Sequence, residues 1–228
     1  DAEGHPDLAG FPNPGLVPTV DGLRAAAADA KGFPVLPVAY LQFSGPLAPV
    51  SEQDVLAADP SSTILLVDID PESPERGALI PAVAKTLDAD PYTPENVLAV
   101  APRPGFVLRP GTKHAVVVQK SLADASGAAL GESDVLARLR DGAPSGEAEQ
   151  AAAAVYGDLW AALGIAGVEP GEIAAATVFT TGRVVEETAA LGDAVKAAYD
   201  IAIEDLVLDA DEVYPELCVL RGKVTMPQ

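Results

Sequence analysis

The chain has 228 residues, enough for one large domain or for one domain with a short companion, and it carries 34 acidic against 14 basic residues. A formal net charge of −20 repels phosphate backbones and anionic lipid headgroups, so the composition argues against nucleic acid as a partner. Apolar residues make up 49% of the sequence, too many for a disordered chain, but no uncharged apolar run of about 18 residues exists that could insert into a membrane.

The first 37 residues are rich in proline and glycine, which predicts an extended or turning segment with one helical turn around Gly22 to Ala30. The amino terminus begins without Met and is polar and turn-rich. We expect it to be a mature or trimmed start from which any export signal has been removed.

Short apolar runs between turn signals predict a series of strands. Val38 to Ser44 alternates between two faces, and three further runs have the composition of strands buried on both faces. These runs are "STILLVDID", "NVLAVAP" and "HAVVVQK", and "AAATVFTTG" follows later with a strand from Ala174 to Thr180. Pro104-Gly105 and Pro110-Gly111 are typical of tight turns between them.

Helical spacing appears in two places. Residues 132–168 contain a short helix at "SDVLARLRDG" and a longer one with an apolar stripe, and we expect this insertion to cover an edge or an open end of the sheets. The stripe consists of Ala152, Val155, Tyr156, Leu159 and Leu163. Trp160 lies beside it and is interpreted as a packing residue.

After Gly182 the spacing predicts a second long helix, then an acidic hinge, "DADEVYPE", and a strand in "LCVLRGKVTMPQ". The predicted apolar face of that helix comprises Leu191, Val195, Ala198, Tyr199, Ala202, Ile203 and Leu206. Cys218, the single cysteine, alternates with Leu220 in the strand and is expected to be a small buried hydrophobic residue.

These elements predict a mainly β fold, a β-sandwich, because several strands follow one another without the helices that parallel crossovers need. We expect two domains. Residues 1–182 form the sandwich with its helical insertion near 132–168, and residues 183–228 form a helical connector and the first strand of a following domain.

No catalytic, cofactor-binding or metal-binding residue is assigned from the sequence. The nucleophile elbow Gly-x-Ser-x-Gly is absent, and the two histidines, His5 and His114, have no activated serine or cysteine in their sequence context. His114 is therefore interpreted as a structural histidine.

Two acidic loops have the alternate spacing that could hold Ca²⁺. Neither completes an EF-hand loop, and turn capping by the aspartates is the preferred interpretation, with weak calcium binding left open. The residues are Asp68, Asp70 and Glu72 in the first loop and Asp209, Asp211 and Glu212 in the second.

The stretch from Leu108 to Leu130 combines a Pro-Gly turn, a valine strand and the bend at Asp124 and Gly127. Glycine in such a bend can adopt a positive φ, and Leu130 would then fold back onto the core. Asp124 is accordingly interpreted as a structural residue and not a catalytic one.

Together with "FSGPLAPVSEQDV" at Phe43 to Val55 and "ATVFTTG", this stretch resembles a bacterial Ig-like domain of surface-layer proteins. It resembles more closely the amino-terminal domain of bacterial virulence-factor-type lipases and esterases. The likeness covers most of Phe11 to Gly182.

The resemblance implies an Ig-like accessory domain of an exported bacterial lipase or esterase, located in the periplasm, on the cell surface or outside the cell. It also implies a hydrolase domain as the partner within the same polypeptide, with the catalytic residues beyond this sequence. The alternatives are a cell-surface adhesion or carbohydrate-binding module, which an exposed row of aromatics would favour, and a complete small hydrolase with an unfamiliar site.

Overall fold

The computed structural model describes residues 5, 6, 8, 10–199, 202–214 and 216–225, without the side chains of 210–213. By their internal contacts these residues belong to two units, 1–183 and 184–228. The first unit contains α1 (Pro18–Ala28), β1 (Ala39–Gln42), β2 (Ile64–Asp68), β3 (Leu79–Ile80), β4 (Ala82–Leu87), β5 (Val97–Pro102), β6 (Lys113–Gln119), α2 (Asp134–Arg140), α3 (Gly146–Ala166) and β7 (Ile173–Thr180). The second contains α4 (Val184–Ala198), β8 (Ile203–Tyr214) and β9 (Leu217–Val224).

The first unit is built on two open antiparallel sheets, with strand orders β1-β5-β4 and β3-β2-β6-β7. β2 is buried along its whole length and β6 nearly so, as the sequence predicted for strands covered on both faces. The weakly patterned stretch around β3 and β4 was not predicted to form strands. The described residues contain about equal shares of helix and strand, so the predicted predominance of β structure is not confirmed. The predicted antiparallel sheets are present, accompanied by helices.

One core lies between the two sheets. Leu98 and Val100 of β5 and Leu66, Val116 and Val118 of the larger sheet belong to one cluster of buried side chains. Each such side chain removed from water contributes about 1.5–3 kcal/mol. Leu130 packs against the same cluster, as predicted.

A second core lies on the other face of the larger sheet, beneath α3. Leu159 and Leu163 are fully buried against Leu65, Val67 and Val117. The prediction that the helical insertion covers an edge is therefore wrong: α3 covers a face, because β2 and β6 present apolar side chains on both sides. Val155 of the predicted stripe is exposed, whereas Ala162, which was not assigned to the stripe, is buried. Trp160 packs partly buried against this core.

The second unit departs from its predicted structure. α4 ends at Ala198, and Ile203 and Leu206, which were assigned to a long helix, lie in β8. Residues 209–214 of the predicted acidic hinge also lie in β8, which pairs antiparallel with β9. Ile203 and Val207 are β-branched and favour a strand, and pairing with β9 supplies that strand with its backbone partners. Ala202 is described outside α4, and residues 200 and 201 are outside the described part.

No helix within the described residues is long and apolar enough to cross a bilayer.

Candidate functional site

His114 is a buried side chain in β6, next to Asp68 of β2 and Phe179 of β7 across the sheet. Its Nδ1 lies 3.0 Å from the carbonyl oxygen of Thr112, and because a carbonyl only accepts, Nδ1 carries the proton. The imidazole stacks on Phe179 with ring centroids 5.9 Å apart. Its position in the core, with no serine or cysteine hydroxyl or thiol bonded to it among the described residues, is that of a packed structural histidine.

Burial lowers the pKa of His114, because desolvation penalises the imidazolium form. The nearby carboxylate of Asp68 and the carbonyl of Thr112 act in the opposite direction but are weaker. The imidazole is therefore held neutral near physiological pH. His5, by contrast, lies in the amino-terminal segment with its Nδ1 3.2 Å from the carbonyl oxygen of Ala30.

The first acidic loop uses its carboxylate oxygens within the protein. Asp68 accepts from the Asp70 amide at 3.0 Å and from the Ser73 hydroxyl at 2.6 Å. Asp70 accepts from the amides of Glu72 and Lys113, both at 2.9 Å. These bonds brace the loop after β2 against β6, which is the turn-capping role. Across the described residues no group of three or more potential ligands is arranged to hold a metal ion.

The second acidic loop lies within β8. Asp209 forms an ion pair with Arg221 of β9. The side chains of Asp211 and Glu212 lie outside the described part of the chain, so the sequence-based interpretation of this loop is left untested there.

Two ion-pair groups attach the helices to the sheet and to each other. Asp158 of α3 pairs with Lys113 of β6 and, at 3.8 Å, with Arg76. Glu149 of α3 accepts from Arg138 Nε of α2 at 2.9 Å, and this guanidinium lowers the pKa of Glu149 to about 2. Both groups orient helices.

The Asp124 corner, residues 123–128, has the structure predicted for it. The Asp124 carboxylate accepts from the Ser126 and Ala128 amides at 2.8 and 3.0 Å and from the Ser126 hydroxyl at 2.6 Å. These bonds, led by the Ser126 hydroxyl, lower the pKa of Asp124. Gly127 has φ +85°, a conformation that favours glycine.

The corner also lines a cleft of about 920 Å³ in the first unit. We call it the β7 cleft, because residues 174–176 of β7 form part of its wall. Its other walls are the stretches 42–47, 124–126 and 129–133, with Leu139 of α2 and Tyr156 of α3. The Tyr156 hydroxyl donates to the carbonyl oxygen of Ala176 at 2.9 Å, and burial raises the pKa of Tyr156.

Sequence reasoning missed this cleft. Its walls come from four separated stretches, whose side chains are mostly small or apolar and carry no recognisable motif. The only available signal was the run of three alanines, Ala174–Ala176, which leaves room beside a strand.

Comparisons with protein-family models, with curated protein sequences and with solved structures found no match to this chain.

Proposed function

We propose that this chain is a non-catalytic accessory module of an exported bacterial lipase or esterase, which positions or shields a hydrolase domain of the same polypeptide. The observation that carries the proposal is an exposed apolar surface on the second unit. Such a surface favours association with another protein surface.

One face of the hairpin of β8 and β9 is apolar throughout its described side chains. The pairing of the two strands places Ile203 opposite Val224 and Leu208 opposite Leu220 on this face. A Cβ on Gly222 would lie 2.7 Å from Ile203 and 3.3 Å from Leu206, which puts those side chains on the same face. We define the apolar hairpin face as Ile203, Leu206, Leu208, Cys218, Leu220 and Val224.

The opposite face of the hairpin is mixed, with ion-paired side chains beside the exposed Val207, Tyr214 and Leu217. Glu204 lies opposite Lys223, and Arg221 lies opposite Val207 and pairs with Asp209. A two-stranded hairpin is marginally stable alone in water, and it gains stability when a third element covers its apolar side. Leu208 is 62% exposed and Leu220 is 57% exposed, so this side is uncovered by the described residues.

Two facing sheets support the finer proposal of an Ig-like sandwich for the first unit. They are antiparallel and share one buried cluster. In a sandwich of this kind, binding residues lie in the loops and not in the core. The residue environments support a scaffold role as well, because His114, Asp68 and Asp124 are all engaged in bonds that shape the fold.

The carbohydrate-binding alternative has less support. Binding sugars on a sheet would use a row of exposed aromatics, and the outward face of the β1-β5-β4 sheet carries Tyr40 beside Ala99 and Lys85. Tyr40 is the single aromatic of those three strands, all of which lie within the described residues.

The first test is the coding sequence downstream of Gln228. The proposal expects a Gly-x-Ser-x-Gly motif within the next few hundred codons. A stop codon, or further sandwich repeats in its place, would contradict the proposal.

The second test probes the apolar hairpin face directly through Cys218, which is exposed. We expect a thiol reagent to label Cys218 rapidly in this chain and slowly when the hydrolase domain is present. Leu208→Glu should restore rapid labelling in the longer protein, because it places a charge on the apolar hairpin face. Val207→Glu, on the opposite face of the hairpin, is the matched control and should leave Cys218 protected. Equal labelling in the two proteins would count against docking through this face.

A further inference from the structure

One edge of β7 is open within the β7 cleft. β7 is the outermost strand of its sheet, and Thr181 just after it donates to Thr112 on the β6 side at 3.0 Å. Thr180 faces the other way, since its carbonyl accepts from the Phe33 amide at 2.8 Å. Alternation along the strand then directs the backbone groups of Ala176 and Val178 away from β6, whereas a register shift interrupts the alternation at Ala174.

Most of these outward groups have no hydrogen-bond partner among the described residues. The carbonyl of Ala176 accepts from Tyr156, but the outward amide of Ala176 has no hydrogen bond within the described part of the chain. The segment at Phe33 covers only the far end of the strand, through its bridge to Thr181. A row of unpaired backbone donors and acceptors at a sheet edge is a template for another strand.

The cleft has the dimensions and surface for such a strand. Ala174 to Ala176, the residues of β7 that line the cleft, would pair with about 10 Å of an extended segment at about 3.4 Å per residue. The cleft volume of about 920 Å³ lies at the upper end of ordinary ligand sites. The alanines leave the edge unobstructed, while Leu136 and Leu139 of α2 offer apolar contacts.

The charges lining the cleft indicate the sign of the ligand. Asp124 and Glu132 are the charged side chains of the lining, and both are acidic. Glu132 is already paired with Lys120 and Arg140, whereas Asp124 accepts only from neutral donors among the described residues. The Asp124 carboxylate is thus available to a cation from outside, and the net charge of −20 favours the approach of a basic ligand.

We propose that the β7 cleft binds an extended basic peptide segment, which adds to the free edge of β7 as a further strand and places a Lys or Arg side chain at Asp124. Backbone hydrogen bonds supply the affinity in this mode of recognition, and the side-chain contacts supply the selectivity. The site is separate from the apolar hairpin face, so either proposal can fail alone.

The test uses a fluorescein-labelled peptide of seven residues, alternating Val and Thr with a central Lys, and measures its fluorescence anisotropy with the full chain. We expect saturable binding that weakens at least tenfold when the central Lys is replaced by Glu. Two further peptides carry N-methyl groups on alternate amides. In one peptide the methylated amides lie along one edge of the extended strand, and in the other they lie along the opposite edge. Because a strand uses one edge for pairing, one of them should lose binding and the other should retain it.

Asp124→Asn tests the charge in the protein. The amide oxygen of Asn can still accept the bonds of the corner, so the fold is retained while the carboxylate is lost. We expect several-fold weaker binding of the Lys peptide and a reduced dependence on salt. Asp90→Asn is the matched control, because Asp90 caps a similar exposed turn through the Tyr92 and Thr93 amides and lies outside the cleft. No saturable binding, equal binding of both N-methylated peptides, or equal effects of the two variants would overturn the proposal.

Discussion

His114 is the residue at which pH acts most directly on the first unit. Its pKa is lowered in the folded protein, chiefly by burial, so the unfolded chain binds a proton more readily. Stability is therefore complete above the unfolded pKa of about 6.5 and is lost as the pH falls below it. The loss is at most about 1.4 kcal/mol per pH unit for one proton.

We expect the free energy of unfolding to fall between pH 7 and 5.5 and His114→Asn to flatten that dependence. The Asn side chain can still donate to the Thr112 carbonyl but does not titrate. Urea titrations at several pH values would measure both proteins. If the free energy of unfolding of the variant fell as steeply with pH, a group other than His114 would be the cause. Both proteins contain His5, so it does not contribute to the difference between them.

Single residues were predictable where a local rule decides their role. The corner at Asp124 and Gly127 follows from side-chain-to-backbone bonding and a positive φ, both of which act within a few residues. Cys218 was predicted to be buried and is exposed. The alternation of side chains along the strand correctly places Cys218 on the same face as Leu220. It does not specify whether another element covers that face.

α3 is the element whose orientation fixes the second core. The structure buries Leu159 completely and leaves Val155 45% exposed, although the sequence placed both on one stripe. We expect Leu159→Ala to lower the free energy of unfolding by about 2–5 kcal/mol, because it opens a cavity against β2 and β6. Val155→Ala, the matched control, should change it by no more than about 0.5 kcal/mol.

Chemical denaturation of both variants would measure the two effects. Comparable losses would mean that α3 is rotated about its axis relative to the structure described above. A loss confined to Leu159→Ala would support α3 covering the face of the larger sheet.

The spacing of apolar residues predicted whether a segment is a strand or a helix only where the tertiary contacts favour the same element. "STILLVDID" and "HAVVVQK" each have an uninterrupted apolar centre, and these centres lie in β2 and β6. The segment after Ala198 satisfies a helical spacing, and pairing with β9, interrupted by a register shift between Glu204 and Val207, decided for the strand. No local signal in 203–208 reports that long-range pairing.

The whole molecule consists of two units with very different cores. Buried side chains in the first unit form two clusters, whereas α4 in the second has none. We expect a fragment ending at Arg183 to unfold cooperatively, with a melting temperature close to that of the first unit in the full chain. Circular dichroism during heating would measure it. A fragment that lacks a cooperative transition would show that the first unit depends on residues 184–228.

Antiparallel sheets and an inserted helical pair could be predicted for the whole chain from turn signals and apolar runs. The β7 cleft could not, because it forms where four separated stretches meet and each is unremarkable alone. The free edge of β7 is likewise a property of strand order, which composition and spacing do not specify.

The absence of catalytic activity is the central claim of this account, and incubation of the purified chain with a short-chain nitrophenyl ester and a fluorophosphonate probe tests it most directly. We predict ester turnover at the uncatalysed rate and no labelled serine. Turnover that the probe abolishes, together with a serine labelled in stoichiometric amount, would contradict the account.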